Sequence, residues 1–491
     1  MINKKTEIVL IHPGDKRVVY QDLATTYSAI QPPVWCGILA SVLKAAGFNV
    51  QIIDANALNL SPIDIAATIK EITPLLVGIF VSGVHPSAST QTMPSAIKIC
   101  KAIKNACDIP IVMAGLHPSA LPRHTLETTG VDFVIQGDGL SSFPQLLHCL
   151  KSGSDIKNTP GLWFYDASDT IAFSFKPGPV TFFPRVAWDL LPMSRYQAHY
   201  WQCLSDISNR KPYACLYTSI GCPFHCKFCC VHALWQTHQV IYQSLDTIMT
   251  EIDCLVNKYH IRCLHIADEN FLLNPNHYMP VVSQLISRQY DLNIWAYGRV
   301  DSIQKEHLEL LRKAGIQWLA LGIESSDTNV LRAVAKPFHQ EHVVKTVQTI
   351  QEAGIHVMGN FMFGLPDDRM DTLEQTLAFA KQLKCDFVNF NCMMPFPGTI
   401  YYDQAVQDGT APASWQAYSQ HAYETQPMPT KYLPSEDILK FRDQAFIDYF
   451  SDTDYLMMIE NKMGSHARQH IETMTQTRLC RKLISKVINN D

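Results

Sequence analysis

The chain has 491 residues, of which 47% are hydrophobic and 17% charged, and its formal net charge is -5. This composition is typical of a globular protein with several domains and excludes a disordered or fibrous chain. No long basic run accompanies the negative net charge, so we expect a small-molecule partner and no nucleic acid.

The longest apolar run, LLVGIFVSGV at 75–84, is about half of the ~20 residues that a membrane-spanning helix needs. The apolar stretch after the N-terminal lysines is too short for the core of a signal peptide. We therefore expect no membrane span and a cytoplasmic location. In that reducing compartment a dense group among the 15 cysteines favours metal binding over disulfides.

The first 150 residues alternate short β-branched runs with segments of helical period, which predicts a doubly wound, Rossmann-like α/β domain over 1–150. The predicted strands lie at 7–13, 48–55, 75–83, 109–115 and 131–139. No GxGxxG follows the first strand, which argues against a dinucleotide site. Ligands of such sheets bind beyond the carboxyl ends of the strands. Candidate binding residues there are Pro13, Ser82, His85, Gly115, His117, Gly137 and Asp138. The repeated GVHPSA and GLHPSA could also be ordinary turns with an N-capping serine.

Residues 151–210 are rich in turn residues and are interpreted as a connector. A second alternation over 211–410 predicts six β/α units, hence a partial (β/α)6 barrel of the TIM type with its chemistry at the C-terminal ends of the strands. The predicted strands lie at 214–221, 261–271, 292–300, 318–325, 356–366 and 386–398. Residues 411–491 are more polar and are predicted to form a small helical C-terminal region.

Four cysteines follow the first predicted barrel strand in GCPFHCKFCC (221–230). Cys222, Cys226 and Cys229 can hold three corners of an iron-sulfur cluster and leave one iron open to another ligand. A structural zinc is the alternative, but zinc prefers four closed ligands and no second C-x2-C pair follows. Cys230 is expected to turn away into packing, because adjacent residues of a loop diverge.

This cysteine spacing, with Phe228 before the last cysteine, resembles the signature of the radical S-adenosylmethionine (SAM) superfamily. ADENF (267–271), GRVD (298–301), LGIES (321–325) and FGLP (363–366) follow at successive strand ends in the order that the family shows. The resemblance implies a [4Fe-4S] cluster whose open iron is chelated by SAM. It also implies that SAM or substrate is contacted by Phe228, Asp268, Glu269, Arg299, Glu324, Met362, Gly364 and Pro366. Arg299 or Glu324 alone could instead form an ion pair of the barrel.

With an α/β domain before the barrel, the chain resembles the cobalamin-binding radical SAM class, similar to the anaerobic Mg-protoporphyrin ester cyclase and the radical SAM C-methyltransferases. The resemblance covers nearly the whole chain. A departure is GDG at 137–139, where many relatives show Gly-Glu-Gly-Glu. The Asp-x-His-x-x-Gly motif of other cobalamin methyltransferases does not occur, so the resemblance implies a cobalt whose lower face carries no protein histidine.

The resemblance implies methylation of an unactivated carbon of a small molecule through a 5′-deoxyadenosyl radical and methylcobalamin. It also implies an external electron donor such as flavodoxin or ferredoxin. The alternatives are an oxidative cyclase or rearrangement enzyme that uses cobalamin without methyl transfer, and a non-catalytic cobalamin- or metal-binding regulator. No side chain is assigned as a catalytic acid or base. The strand ends WAYGRV, FMFG and NCMMPFPG could line an apolar pocket or belong to the barrel core.

Overall fold

The structure, a computed structural model, describes residues 5–14, 16–178 and 180–488, so the outermost ends of the predicted first and last domains lie outside the described residues. The N-terminal sheet has seven strands: β1 (Ile8–His12), β2 (Val50–Asp54), β3 (Leu76–Phe80), β4 (Ile111–Ala114), β5 (Phe133–Ile135), β6 (Leu162–Tyr165) and β7 (Ile171–Phe173). Their order is β2-β1-β3-β4-β5-β6-β7. The first five are parallel, and β6 and β7 are antiparallel to their neighbours. The order 2-1-3-4-5 is a common doubly wound order with its switch point between β1 and β3.

Helices cover both faces of this sheet: α1 (Lys16–Tyr20), α2 (Leu23–Thr26), α3 (Val34–Ala45), α4 (Ala55–Leu58), α5 (Pro62–Ile72), α6 (Met93–Ala106), α7 (Leu116–Ala120), α8 (Pro122–Thr129) and α9 (Ser142–Ser152). All five residues of β3 are buried, as expected for a parallel strand between two helical layers. Leu39 of α3 and Phe143 of α9 belong to the core on one face. Ile65 of α5 and Ile99 of α6 belong to the core on the other.

The segment predicted as a connector contributes β6 and β7 to the N-terminal sheet before it becomes irregular. Its turn-rich composition concealed these strands, because both are short and partly exposed, and β7 lies at the edge of the sheet. Further along, Tyr196 Oη donates to Asp54 Oδ2 at 3.0 Å, and Trp188 Nε1 donates to Glu251 Oε2 at 2.7 Å. The irregular part is therefore anchored to both flanking domains.

The second sheet is the predicted partial barrel. Its strands are β8 (Tyr213–Leu216), β11 (Cys263–Ile266), β12 (Asn293–Gly298), β13 (Ile316–Glu324), β14 (His356–Phe363) and β15 (Phe387–Cys392), with β9 (Ser219–Ile220) and β10 (Ile241–Tyr242) forming a separate antiparallel pair. The six barrel strands are all parallel and lie in chain order. The helices between them are α10 (His232–Trp235), α11 (Leu245–Tyr259), α12 (Pro275–Arg288), α13 (Leu308–Lys313), α14 (Thr328–Ala333), α15 (Gln340–Glu352) and α16 (Met370–Leu383).

The chain ends in helices that pack on the open side of the barrel: α17 (Ile400–Gln407), α18 (Ser435–Phe450), α19 (Thr453–Met463), α20 (Ser465–Gln476) and α21 (Lys482–Ile488). Tyr449 and Tyr455 donate their hydroxyls to the carbonyls of Cys385 and Asp386 at the start of β15. The predicted fold class is therefore confirmed. Within the described residues, none of the helices combines the length and the apolarity that a bilayer span requires.

Candidate active site

The cysteine loop leaves the barrel directly after β9. Gly221 opens it with φ +90°, and a Cβ there would lie 2.3 Å from the carbonyl oxygen of Gln239, so only glycine fits this turn. Inside the loop, Cys229 N donates to Cys226 O at 3.0 Å, and Lys227 N donates to Val334 O at 3.1 Å. The loop is thereby fixed both to itself and to the β/α unit that follows β13.

Three of the four neighbouring cysteines have partly accessible side chains, and the fourth does not. Cys222, Cys226 and Cys229 are half-buried, whereas Cys230 is 2% exposed and joins the main core. The three half-buried thiols lie close enough to act electrostatically on one another. The backbone carbonyl of Cys230 accepts a hydrogen bond from Ala233 N at 3.0 Å, where α10 begins. The structure therefore separates three accessible thiols from one packed thiol.

The chemistry of these three thiols fits an iron-sulfur cluster that the protein holds at three of its corners. Burial raises the pKa of Cys222, and it raises the pKa of Cys229 to about 12, so these thiols need bound cations to become thiolates. No three His, Cys, Asp or Glu side chains within the described ranges converge on a point where one ion would sit. A cluster binds each thiolate to a different iron, so its ligands need not converge in that way.

Asp268 is fully buried and holds the base of the cysteine loop. Its carboxylate accepts from Thr218 N at 2.6 Å, Thr218 Oγ1 at 2.5 Å and Ser219 Oγ at 2.6 Å. Burial raises the pKa of Asp268 to about 6, although these hydrogen bonds oppose the shift. The structure thus places this predicted site residue between the ends of β11 and β8, where it positions the loop.

Glu269, the next residue, has one carboxylate oxygen that is available as a hydrogen-bond acceptor. Trp235 Nε1 donates to its Oε1 at 2.8 Å, whereas Oε2 is buried and has no hydrogen-bond partner among the described residues, and the same holds for Nδ2 of Asn270. Burial raises the pKa of Glu269 to about 7. Buried polar atoms are nearly always satisfied, so an acceptor and a donor are left here for polar groups such as those of SAM.

Arg299, at the end of β12, lies against the cysteine loop. Its Nη1 is 3.7 Å from Cys226 Sγ, its guanidinium lies 3.7 Å from the ring centroid of Phe224, and it binds both carboxylate oxygens of Asp301 at 3.0 Å. The cation–π contact and the bidentate pair fix the orientation of the guanidinium. A positive charge is therefore held beside one of the three accessible thiols.

Glu324, at the end of β13, forms a buried ion pair, which was the alternative considered from the sequence, but its partner Lys336 was not identified there. Its Oε1 accepts from Lys336 Nζ at 2.6 Å, and both side chains are 8% exposed. The backbone of Glu324 has φ +67°, which is uncommon for a residue other than glycine. Lys336 also lies 5.9 Å from the ring centroid of Phe228, so the pair adjoins the cysteine loop.

The β14 end brings the remaining predicted SAM residues together. Phe228 and Met362 pack on a small apolar cluster that contains Leu365. Gly364 has φ +84°, and a Cβ there would lie 2.8 Å from Ile438, so the turn needs glycine. Asp368 Oδ2 accepts from the amides of Gly364 and Leu365 at 3.1 and 2.9 Å, which fixes the turn that also includes the half-buried Pro366.

A cavity of about 440 Å³, hereafter the main cavity, lies between the N-terminal sheet, the barrel and the C-terminal helices. Three of the predicted cobalamin residues line it, namely Pro13 after β1 and Ser82 and His85 after β3, together with Met362 from β14. It therefore opens at the switch point of the doubly wound sheet, where such folds bind ligands. This position, and side-chain amides such as Gln31 and Gln91 in its wall, fit a corrin with its own amides.

The other four predicted cobalamin residues lie behind that wall and do not line the main cavity. Gly115 has φ +111° and approaches the carbonyl of Val81, to which a Cβ would lie 2.4 Å. His117 is fully buried, with Nδ1 3.2 Å from Thr90 Oγ1. Gly137 N donates to Ser119 Oγ at 2.9 Å.

Asp138, the fourth of these residues, accepts through its backbone carbonyl from Trp35 Nε1 at 2.8 Å and through Oδ1 from Leu140 N at 2.8 Å. Trp35 itself lines the main cavity. The four residues therefore support the loops and side chains that face the cavity.

Several cavity residues were not singled out from the sequence. Asn360, Asn389 and Asn391 line the cavity from β14 and β15, and Asn389 Nδ2 donates to Asn360 Oδ1 at 3.1 Å. The available sequence signal was an asparagine between apolar residues of a predicted barrel strand. His199 also lines the cavity, together with the predicted His85. Burial lowers the pKa of His85 to about 4 and that of His199 to about 3, so both rings are neutral.

Comparisons with known proteins agree with this arrangement. A family model described as Radical SAM superfamily matches residues 216–380, and one described as B12 binding domain matches residues 20–147. An uncharacterized methyltransferase of Pyrococcus horikoshii is 28% identical over 457 residues, which cover 91% of this chain and 93% of that protein. The anaerobic magnesium-protoporphyrin IX monomethyl ester cyclase of Rubrivivax gelatinosus is 24% identical over 79% of this chain and 68% of its own length.

Among solved structures, the radical S-adenosylmethionine methyltransferase TsrM from Kitasatospora setae, with cobalamin and a [4Fe-4S] cluster bound, has the same fold. The TM-score is 0.70 at 16% sequence identity, and the match covers 96% of this chain and 99% of that chain.

Proposed function

The chain belongs to the cobalamin-binding class of the radical SAM superfamily, and we propose that it transfers a methyl group to an unactivated carbon of a small molecule. Its two matched domains carry the cofactors of that class, a [4Fe-4S] cluster, SAM and cobalamin. When bound, the cluster supplies reductive cleavage of SAM and cobalamin supplies a transferable methyl group.

The main cavity is the observation that carries this proposal. Pro13 and His85 of the N-terminal domain and Trp235 and Met362 of the barrel line the same space. Trp235 also donates to Glu269, beside the cysteine loop. A substrate in this space would face both the cobalamin side and the SAM side, as methyl transfer to a substrate radical requires.

The residues of the chain have distinct roles in this proposal. Cys222, Cys226 and Cys229 hold the cluster, and Asp268 positions their loop through Thr218 and Ser219. Glu269 Oε2 accepts a hydrogen bond from a polar group of SAM. The aromatic walls of the main cavity exclude water from the reacting groups, and they include Trp35, Tyr217, Trp235 and Phe387.

The names of relatives support methylation over the alternatives. A relative that covers 91% of this chain is named a methyltransferase, and other relatives are named hopanoid C-2 methylase and cytidylyl-2-hydroxyethylphosphonate methyltransferase. These names favour an enzyme over a non-catalytic regulator. The name of the ester cyclase relative keeps cyclisation as the second candidate.

We also propose that a small electron-transfer protein such as flavodoxin or ferredoxin reduces the cluster. The three cysteine side chains are partly exposed, so an electron can enter from the surface of the loop. Reduced flavodoxin is expected to support SAM cleavage in place of a chemical reductant. If SAM were cleaved with the chemical reductant but with neither flavodoxin nor ferredoxin, the proposed electron donor would be wrong.

The products of SAM distinguish the two candidate reactions. The full chain is reconstituted anaerobically with iron, sulfide and cobalamin, reduced, and incubated with SAM and candidate substrates. Methylation predicts S-adenosylhomocysteine beside 5′-deoxyadenosine, because one SAM is cleaved and another donates its methyl group. Substrate-dependent 5′-deoxyadenosine without S-adenosylhomocysteine would contradict methylation and support a cyclase.

A further inference from the structure

A second cavity of about 380 Å³, hereafter the vestibule, adjoins the main cavity at the C-terminal helices. Leu23, His421, Phe446 and Met474 line both spaces. The other walls of the vestibule come from α18 and from residues 477–485. Gln21 Nε2 donates to the carbonyls of His421 and Cys480, so the N-terminal domain fixes the rim of the vestibule.

The charge of the vestibule is strongly positive. Arg442, Arg478 and Arg481 line it, and among the residues that the structure describes Asp443 is the single carboxylate there. No Asp or Glu of the described ranges lines the main cavity, whose wall includes Lys16. Both spaces therefore carry excess positive charge in a chain whose formal net charge is -5.

Two of these guanidiniums are buried and share one partner. The side chains of Arg442 and Arg481 are 6% and 2% exposed. Asp443 Oδ1 accepts from Arg442 Nη1 and from Arg481 Nη2, and Oδ2 accepts from Arg481 Nε, all at 2.8 Å. A buried charge that is not fully compensated costs free energy. We therefore expect a further anion beside Arg442, Arg481 and Asp443.

Free hydrogen-bond donors face the same space. Every N–H of Arg481 is used, on Asp443, Gln420 O, Ala422 O and Thr425 Oγ1. Arg442 uses three of its five, on Phe390 O, Asp443 and His421 Nε2. Because Nε2 of His421 accepts from Arg442 at 3.2 Å, the neutral ring carries its proton on Nδ1, which makes no hydrogen bond within the described part of the chain.

We propose that the vestibule binds an anionic oxygen group, a carboxylate or a phosphate, at one end of the substrate. Arg442 and the Nδ1–H of His421 donate to this group, and Arg478 adds charge at the exposed rim. The reacting carbon of the substrate then lies in the adjoining main cavity. The assignment to a substrate rests on the proposed methyl transfer, whereas the anion site itself does not.

Cobalamin also carries a phosphate, so the anion could belong to the cofactor. The position of the vestibule favours the substrate. Its walls come from the C-terminal region and from Leu23, whereas Pro13 after β1 and Ser82 and His85 after β3 line only the main cavity.

Inorganic phosphate is the probe for this site. Thermal unfolding of the cofactor-free full chain is measured as phosphate increases at constant ionic strength, because a ligand of the folded state raises Tm. Arg442→Met is expected to weaken the apparent phosphate affinity roughly tenfold, the effect of losing one charge-assisted hydrogen-bond donor. The control Arg262→Met removes a surface arginine whose side chain is 69% exposed, and it should respond like the unmodified protein.

Arg478→Met provides a second variant if Arg442→Met does not fold, because Arg478 is exposed and makes no ion pair within the described ranges. It is expected to weaken phosphate binding less, by several-fold. The proposal would be overturned if phosphate did not raise the Tm of the unmodified protein. It would also be overturned if phosphate raised the Tm of the vestibule variants and of the control equally.

Cobalamin binding separates the two sources of the anion. Arg442→Met, or Arg478→Met in its place, should leave the affinity for cobalamin unchanged if the anion is the substrate's. A parallel loss of cobalamin and phosphate binding would assign the site to the cofactor and overturn the substrate assignment. Failure of reduced holoprotein to cleave SAM, with phosphate binding intact, would contradict only the proposed function.

Discussion

Arg299 and Cys226 are in contact, with Nη1 of the arginine 3.7 Å from Sγ of the cysteine. The two residues are brought together from the end of β12 and from the loop after β9. The bidentate pair with Asp301 and the ring of Phe224 hold the guanidinium in place. A fixed positive charge beside a cluster ligand stabilises the reduced, more negative state of the cluster.

Arg299→Met should therefore make the reduction potential of the cluster more negative. The measurement is a potentiometric titration followed by the electron paramagnetic resonance (EPR) signal of the reduced cluster. Arg369→Met is a matched control, because Arg369 forms a similar bidentate pair with Asp371 at 3.0 and 3.1 Å but is exposed. Equal potentials for the Arg299 and Arg369 variants would show that the contact does not tune the cluster.

The division of the four cysteines predicts opposite results for neighbouring substitutions. Cys229→Ser should abolish the visible absorbance of the cluster and lower the iron content, because it removes one of the three proposed cluster ligands. Cys230→Ala should keep both, because the thiol of Cys230 is packed in the core. Loss of cluster absorbance in a folded Cys230→Ala protein would assign that residue to the site.

The buried pair of Glu324 and Lys336 predicts a large loss of stability when one partner is removed. Lys336→Met should lower the free energy of unfolding by about 3 to 5 kcal/mol, because it leaves a buried carboxylate unpaired. Adding Glu324→Gln should recover part of this loss, since the unpaired charge is then gone. Denaturant unfolding of the three proteins checks both expectations.

Lys313→Met is the control for this pair, because Lys313 and Glu309 form an exposed i,i+4 pair that contributes only about 0.3 to 0.5 kcal/mol. If Lys336→Met were as stable as this control, the pair would contribute no more than a surface contact.

The sequence was sufficient to predict the elements whose patterns are local. Six parallel barrel strands and the doubly wound sheet follow from short β-branched runs between helical segments. The separation of Cys230 from its neighbours also follows from local geometry. The strands β6 and β7 could not be predicted, because short, partly exposed strands in turn-rich sequence carry little periodic signal.

Glu251 predicts a pH dependence of stability away from the cluster. It is 4% exposed, and burial raises its pKa from 4.5 to about 7. Between these values the folded state binds a proton that the unfolded state has released. The free energy of unfolding should therefore fall as the pH rises from 4.5 through 7, by up to about 3 kcal/mol from this group.

Glu251→Gln should remove this part of the pH dependence, because an amide does not titrate. Val186 N and Trp188 Nε1 donate to different oxygens of Glu251, so the single amide oxygen keeps one of these two hydrogen bonds and the substitution also lowers the overall stability. Denaturant unfolding across this pH range compares the two proteins. Glu309→Gln, an exposed substitution, should retain the slope of the unmodified protein. A slope that is equal in the Glu251 and Glu309 variants would contradict the assignment.

The parts of the site that the sequence could not predict depend on tertiary contacts. Lys336 meets Glu324 only because a tight turn after α14 brings it back to the strand end. Gly115 and His117 stand at a strand end, as expected for ligand contacts, yet α7 turns them behind the cavity wall. The rim of the vestibule joins Gln21 to Cys480, 459 positions apart in the sequence, and no local pattern predicts such a pairing.

The central claim is that the cluster and cobalamin face one cavity, and EPR tests it most directly. The signal of protein-bound cob(II)alamin is recorded with the cluster oxidised, and again with the cluster reduced and paramagnetic. Two paramagnetic centres at the same cavity should couple, so reduction of the cluster should broaden the cobalt signal or speed its relaxation. A cobalt signal that is identical in the two states, with both cofactors bound, would contradict the account.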